Sequence, residues 1–366
     1  MVNLSRHGDL MRRITLSLVA IAVLVPVAGC GTGDGKSNGD NPTIALLLPE
    51  SKTTRYEAFD RPLFEAKVKQ LCDKCKVLYF NADQDAAKQQ GQFESALTQG
   101  ANVIVLDAVD ADSVAPQVNK AKQKKIPVLA YDRLIAKTGY DYYVSFDNVK
   151  VGKVQGEALL AELAKRGTTD KGQIIVLNGA PTDPSAGDYK TGAHQALDGK
   201  VKIGREFDTP DWSPDKAQQE TEQAITALGK DQIVGVYSAN DGMAGGAVAA
   251  LKRAGFATLP PLTGQDGELA AVQRILTGEQ TMTIYLNYRA QAEKSAELAV
   301  ALAKGEHPEA PAKTNNGAAD IPSFLLEAIA VNKANVKDTI VKDGLYTVAD
   351  ICTPDVATAC RAAGLE

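Results

Sequence analysis

Histidine, tryptophan and clustered positive charge are all in short supply in this sequence. It has three histidines, one tryptophan and five cysteines, and aromatic residues make up 5% of it. His7, His194 and His307 are scattered and give no metal-ligand spacing, so neither a metal nor another cofactor is expected. The formal charge is −5 and basic clusters are few, a balance that argues against a nucleic-acid partner. Beyond one short N-terminal stretch, no segment approaches membrane-spanning length.

That N-terminal stretch is the first positive signal. Arg6, Arg12 and Arg13 precede an apolar segment of 14 residues from Ile14 to Val27, short for a membrane span and suited to a secretory signal. It ends in Val27-Ala28-Gly29-Cys30, which resembles a bacterial lipobox. That resemblance implies a signal peptide at 1–29, acylation of Cys30 and a chain outside the cytosol. It would be lipid-anchored to the cell membrane, at the cell surface or in the periplasm. The alternative is an ordinary cleaved signal with a chance cysteine. Loss of residues 1–29 removes three arginines and one aspartate and leaves a formal charge of −7. The stretch Gly31–Asn41 is rich in Gly, Asp, Ser and Asn and reads as a flexible tether, 30–42. Gly35-Lys36-Ser37 looks like the end of a phosphate-binding loop, but Cys30 stands where its first glycine belongs and no strand precedes it.

Four cysteines remain, Cys72, Cys75, Cys352 and Cys360. An even number in an exported chain favours disulfides, with the local pairs Cys72–Cys75 and Cys352–Cys360 preferred. A redox or zinc role for Cys72-x-x-Cys75 is the weaker alternative.

From Thr43 onward apolar runs alternate with amphipathic stretches. Ile44–Leu48, Val77–Phe80, Val103–Leu106 and Val128–Tyr131 read as buried strands, and 59–71, 86–99 and 114–125 as helices between them. The pattern restarts with a helix at 149–165. Strands follow at 174–177, 201–207, 233–237, 262–264, 281–285 and 324–331, and helices at 214–228, 243–254, 269–276 and 290–304. Two successive α/β units predict an α/β protein of two doubly wound, mostly parallel lobes, with more than one crossing between them.

Ligands of open α/β sheets bind beyond the carboxyl ends of the strands. There the sequence places Glu50, Asp107, Asp132-Arg133, Asn178, Asn240-Asp241 and Gln265-Asp266. Any one of these Asp or Asn residues can be a helix cap; as a set with Arg133 they suit a neutral sugar, whose hydroxyls both donate and accept. The lone Trp212 sits in a Pro-flanked polar loop, where it either stacks on a sugar face or serves the structure.

These residues carry a resemblance. Tyr131-Asp132-Arg133, Tyr143-Val144-Ser145-Phe146-Asp147-Asn148 with Val151-Gly152, Asn240-Asp241 with Gly245-Gly246, and Gly264-Gln265-Asp266 closely resemble the bacterial D-xylose-binding proteins, solute receptors of ATP-driven sugar importers. The match runs over about residues 43–346. It implies a periplasmic binding protein of type I, with three crossovers forming the hinge. The implied lobes are 43–149 plus 286–321 and 150–285 plus 322–346; the extension at 347–366 lies beyond the match and reads as a surface tail stapled by a disulfide. It implies sugar contacts at Arg55, Tyr56, Arg133, Asn148, Asn240 and Asp266, with Trp212 as stacking ring. Asp132 is expected to hold Arg133 or to touch the sugar. Leu286 stands where the family has a lysine that reaches the sugar, and Asn287 is the expected substitute. The implied partners are a monosaccharide, xylose or a related aldopyranose, an ABC permease and, through the lipid, a membrane; the chain is expected to be a monomer. The alternatives are a receptor for another aldose such as glucose, arabinose or ribose, a sugar sensor docking on a signalling partner, and a glycosidase using paired carboxylates, although no spacing demands such a pair.

Overall fold

The computed structural model describes residues 41–365. The expected signal peptide, the lipidation site Cys30 and most of the tether lie outside the described residues. The first lobe begins β1 (Thr43–Leu48), α1 (Arg61–Leu71), β2 (Lys76–Asn81), α2 (Ala86–Thr98), β3 (Val103–Leu106), α3 (Ala115–Gln123), β4 (Val128–Tyr131) and β5 (Tyr142–Phe146). These five strands are mutually parallel. Every residue of β3, β4 and β5 is buried, as covering by helices on both faces requires.

The chain then builds the second lobe with α4 (Asn148–Arg166), β6 (Gln173–Asn178), α5 (Pro184–Leu197), β7 (Lys202–Asp208), α6 (Pro214–Leu228), β8 (Ile233–Ser238), α7 (Asp241–Arg253), α8 (Leu269–Thr277) and β9 (Met282–Leu286). Parallel strands run in the order β7-β6-β8. Single parallel bridges, Val236 to Leu262 and Gln265 to Ile284, carry the sheet on to β9. Next come α9 (Tyr288–Ala303), β10 (Ala312–Asn315), β11 (Asp320–Leu326) and β12 (Ala328–Asn332). β11 returns to the first sheet beside β5, giving the order β10-β11-β5-β4-β3-β1-β2, while β12 pairs antiparallel with β9. α10 (Val348–Ile351) and α11 (Ala357–Ala362) end the described chain.

Three crossings therefore join the lobes, each a single residue between two elements: Asp147, Asn287 and Glu327. The third differs from the expected boundary at 321/322, because β11 stays paired with β5 as far as Leu326. For the same reason the run 324–331, expected as one strand, is split between two sheets. Residues 262–264 contribute a bridge at Leu262 and no strand of their own. Both favoured disulfides are present, Cys72–Cys75 and Cys352–Cys360. The tail is more than a stapled surface segment: Ile351, Val356, Cys360 and Leu365 are buried in one cluster with Val272, Leu276 and Tyr285.

α5 has no counterpart in the sequence reading, since Gly192 interrupts its apolar stripe and Gly187 lowers its helix propensity. The structure accounts for Gly192. α4 and α5 cross so closely that a Cβ on Gly192 would strike the Val149 carbonyl, and one on Gly152 the Tyr189 carbonyl. Gly187 faces open space. Urea unfolding should therefore show Gly192→Ala to be destabilising by about 1–3 kcal/mol, and Gly187→Ala to be neutral or stabilising by up to about 1 kcal/mol.

A candidate ligand cleft between the lobes

Each sheet has a switch point. β1 lies between β2 and β3, and β6 lies between β7 and β8. Chain connections leave such neighbouring strand ends in opposite directions and open a crevice there. The two crevices face each other across a cleft lined by Thr53, Arg55, Tyr56, Asp132 and Arg133 from the first lobe and Asp183, Ser185, Tyr189, Trp212, Asn240, Gln265 and Asp266 from the second. Its cavity volume is about 30 Å³, well below the ~300–1,000 Å³ usual for ligand sites, so the two walls stand close together.

Arg55, in the helical turn leading into α1, is buried among acceptors. Nε and Nη2 form a fork on Asp60, each bond 2.8 Å long. Nη2 also donates to Gln291 Oε1 at 2.7 Å and Nη1 to Asp132 Oδ1 at 3.2 Å. The Tyr288 ring lies 4.3 Å from its Cζ. Burial alone would lower the guanidinium's pKa, but Asp132 and Asp60 outweigh it and hold the pKa well above its usual value. Asp132 therefore holds Arg55, not the adjacent Arg133. Its backbone has a positive φ of 63°, and its carbonyl accepts from Ser145 Oγ at 2.6 Å and Tyr143 OH at 3.1 Å.

Arg133 is fixed separately. Nη1 donates to the Ala108 carbonyl at 3.2 Å and Nη2 to Tyr56 OH at 3.4 Å. Its Nε lies 3.0 Å from Asp183 Oδ2 and 3.4 Å from Asp107 Oδ1. Asp183 belongs to the second lobe, so the first of these ion pairs spans the cleft. Asp183 also caps α5 through the Ser185 N–H at 2.9 Å and accepts the Trp212 indole N–H at 3.2 Å.

Trp212 serves the structure, as part of the second-lobe core, and also borders the cleft. Its ring lies so close to Gly179 that a Cβ there would overlap it, and its edge meets Tyr189 with centroids 6.4 Å apart. Positive φ values at Asp211 and Trp212, 61° and 52°, present the ring this way. Asn240 is likewise both cap and wall: Oδ1 accepts the Met243 N–H at 2.9 Å, and the side chain borders the cleft. Asp266 is buried with φ of 104°. Burial raises its pKa well above the usual carboxylate range, although Arg55 pulls it down.

Beneath this loop sits Asp241, which the cleft does not expose. Its carboxylate accepts from Gln280 Nε2 at 2.7 Å, Thr283 Oγ1 at 2.7 Å and the Glu268 N–H at 3.0 Å, and its own N–H donates to the Gln265 carbonyl at 2.8 Å. Gly264 leaves room for that carboxylate, because a Cβ there would collide with Asp241 Oδ1.

Of the residues expected to contact the sugar, Asn148 and Asn287 are not among the cleft-lining ones, and of the strand-end set Glu50, Asp107, Asn178 and Asp241 are not either. Asn287 caps α9, its Oδ1 accepting the Ala290 N–H at 3.0 Å. Asn148 is buried at the start of α4, and its Oδ1 has no hydrogen-bond partner among the described residues. Leu286 packs in the second-lobe core opposite Ala328 and does not border the cleft. Asn178 turns to Glu206 and Asp208 of β7. Conversely Thr53, Asp183, Ser185 and Tyr189 escaped the sequence reading. Asp183 and Ser185 lie five and seven residues past the end of β6 in Thr182-Asp183-Pro184-Ser185, where a search extended seven residues beyond each strand end finds them. No cluster of metal-ligating side chains occurs among the described residues.

The family model described as periplasmic binding protein domain matches residues 44–307. The chain belongs to the periplasmic binding protein family. The binding protein is 34% identical to the D-xylose-binding periplasmic protein of Haemophilus influenzae, over 90% of this chain and 98% of that one. It is 35% identical to the multiple sugar-binding periplasmic receptor ChvE of Rhizobium radiobacter, over 84% and 91% respectively. Among solved structures it superposes on an ABC transporter solute-binding protein from Clostridium phytofermentans with bound β-D-glucose, with a TM-score of 0.78 and 27% identity, covering 84% of this chain and 99% of that one. These relatives bind rather than transform their ligands, and the binding protein is not an enzyme.

Burial, then Glu268, raises the pKa of Asp241 to about 7. A carboxyl raised in the folded state contributes stability below about pH 4 and loses it as pH rises through about 7. Thermal melts should accordingly shift upward as pH falls from 8 to 6. Asp241→Ala should reduce that shift and cost about 2 kcal/mol at pH 7 through the donors left unpaired.

Proposed function

We propose that this chain is an extracytoplasmic receptor that takes a monosaccharide, D-xylose first, into the cleft and delivers it to an ABC importer. The observation that carries this reading is the composition of the cleft wall. Two guanidinium groups, several buried carboxylates, the Asn240 and Gln265 amides and the Trp212 ring converge from both lobes. A pyranose offers the complement, a ring of hydroxyls that donate and accept and an apolar C–H face. A polyol also carries no charge of its own to oppose the several carboxylates present. Anionic sugars, such as uronates and sugar phosphates, fit this wall poorly. D-Xylose comes first because the identity to the D-xylose-binding relatives spans nearly the whole chain. Glucose and other aldoses come second, on the strength of the multiple-sugar receptor and the glucose-bound structure.

Asp132 and Arg133 on one lobe and Trp212, Asn240 and Asp266 on the other make a bridging sugar stabilise the closed arrangement over an open one. The motion proposed is rotation about the three crossings. Cys30 is proposed as the acylated mature N-terminus. A lipid anchor keeps the receptor near its permease and raises the frequency of encounter.

Thermal-shift and calorimetric titrations with D-xylose, D-glucose, L-arabinose and D-ribose test the ligand. D-Xylose is expected to give the largest shift; a shift with another sugar and none with D-xylose reassigns the site. Trp212 is the sole tryptophan, so saturating sugar should change the intrinsic tryptophan fluorescence of the chain. Asp266→Ala should weaken binding at least about tenfold with the circular dichroism spectrum preserved, and unchanged affinity removes Asp266 from the site. Mass spectrometry of the chain from its own membranes should find a diacylglyceryl group on Cys30, and Cys30→Ala should release the protein from the membrane.

A further inference from the structure

Asp107 is an anomaly. It follows β3, its side chain is 0% exposed, and neither carboxylate oxygen has a hydrogen-bond partner among the described residues. A buried unsatisfied polar group in a folded protein calls for an explanation. Loose placement is not the explanation here. The Asp107 N–H donates to the Leu47 carbonyl at 2.9 Å. Gln89 clamps the turn from both ends, donating to the Asp107 carbonyl at 2.7 Å and accepting the Val109 N–H at 2.8 Å. The carboxylate is held where it is, and the one ion-pair partner it has among the described residues is Arg133 Nε at 3.4 Å.

That same Nε lies 3.0 Å from Asp183 Oδ2 yet makes a well-aligned hydrogen bond to neither carboxylate. It is shared between them. Asp107 sits on the same lobe as Arg133, whereas Asp183 is fixed to the other by its cap on α5 and by the Trp212 indole. The rest of the guanidinium is tied down on the first lobe by Ala108 and Tyr56. If the second lobe swings away, Asp183 leaves with it and Asp107 remains.

We propose that Asp107 is a positioning residue that serves as the open-state partner of Arg133, and that exchange of Arg133 between Asp107 and Asp183 sets how readily the lobes close. In the closed arrangement Asp107 shares Arg133, the one ion-pair partner it has among the described residues, a cost that the Arg133–Asp183 contact and the ligand must offset. In the open one it recovers Arg133 in full. Asp107 thus biases the sugar-free receptor toward the open form and weakens apparent affinity by the fraction of molecules it holds open. This inference rests on the proposed capture of a sugar between the lobes.

The test compares the parent, Asp107→Asn, Asp183→Asn and the double variant. Calorimetry with D-xylose and D-glucose measures affinity, and small-angle scattering without sugar measures lobe closure. Asp107→Asn should bind about fivefold more tightly and scatter as a more compact particle without sugar. Asp183→Asn should bind more weakly and scatter as a more open one, with the double variant between them. Weaker or unchanged binding by Asp107→Asn, with sugar-free scattering unchanged, overturns the proposal. Asp107→Ser provides the same neutralisation should the Asn variant misfold. If the parent binds neither sugar, the functional reading fails on its own, and the scattering comparison still decides the Arg133 exchange.

Discussion

Burying a guanidinium is the constraint from which much of this molecule follows. Arg55 and Arg133 sit almost wholly out of water, and a cation there is tolerable only with its donors answered and its charge balanced. Balancing Arg55 recruits Asp60, Asp132 and Gln291, so that α1, the turn after β4 and α9 must meet at one point. Balancing Arg133 recruits Asp183 from the opposite lobe. The cleft is thus the place where two cations draw their counter-charges from separate parts of the chain, and the positive-φ conformation of Asp132 is maintained by that network together with Tyr143 and Ser145.

Much of the architecture is legible in the sequence, for a physical reason. Strands covered on both faces must be apolar throughout, so Val103–Leu106 and Val128–Tyr131 announce themselves with correct bounds. Legibility fails where tertiary packing overrides local pattern. α5 is obscured because close crossing with α4 demands a glycine in its stripe. The 324–331 run reads as one strand because apolar periodicity carries no information about which sheet each half joins. At 262–264 the reading errs the other way, expecting a strand where one bridge at Leu262 forms.

The cleft is legible to the extent that its residues lie directly at strand ends. Arg133, Asn240, Gln265 and Asp266 stand there, and all four line it. Of the two expectations for Asp132, holding Arg133 or touching the sugar, the first fails because Arg55 and Gln291 take up its carboxylate. Asn287 is drawn off by helix capping, a competing use that Asn240 accommodates with one end of its amide while the side chain still borders the cleft. Asp183 and Tyr189 stayed hidden because they act through α5, the helix the sequence conceals.

The three crossings have a mechanical meaning. Each is a single residue between two regular elements, Asp147, Asn287 and Glu327. With two soft torsions per residue, about six backbone angles connect two bodies whose interiors are otherwise closed to deformation. Three parallel tethers that short leave little freedom for sliding or shear and keep chiefly a rotation. Such a joint behaves like a door on three pins: little conformational entropy is at stake in the swing, and small differences in contact energy across the gap suffice to decide where the door rests.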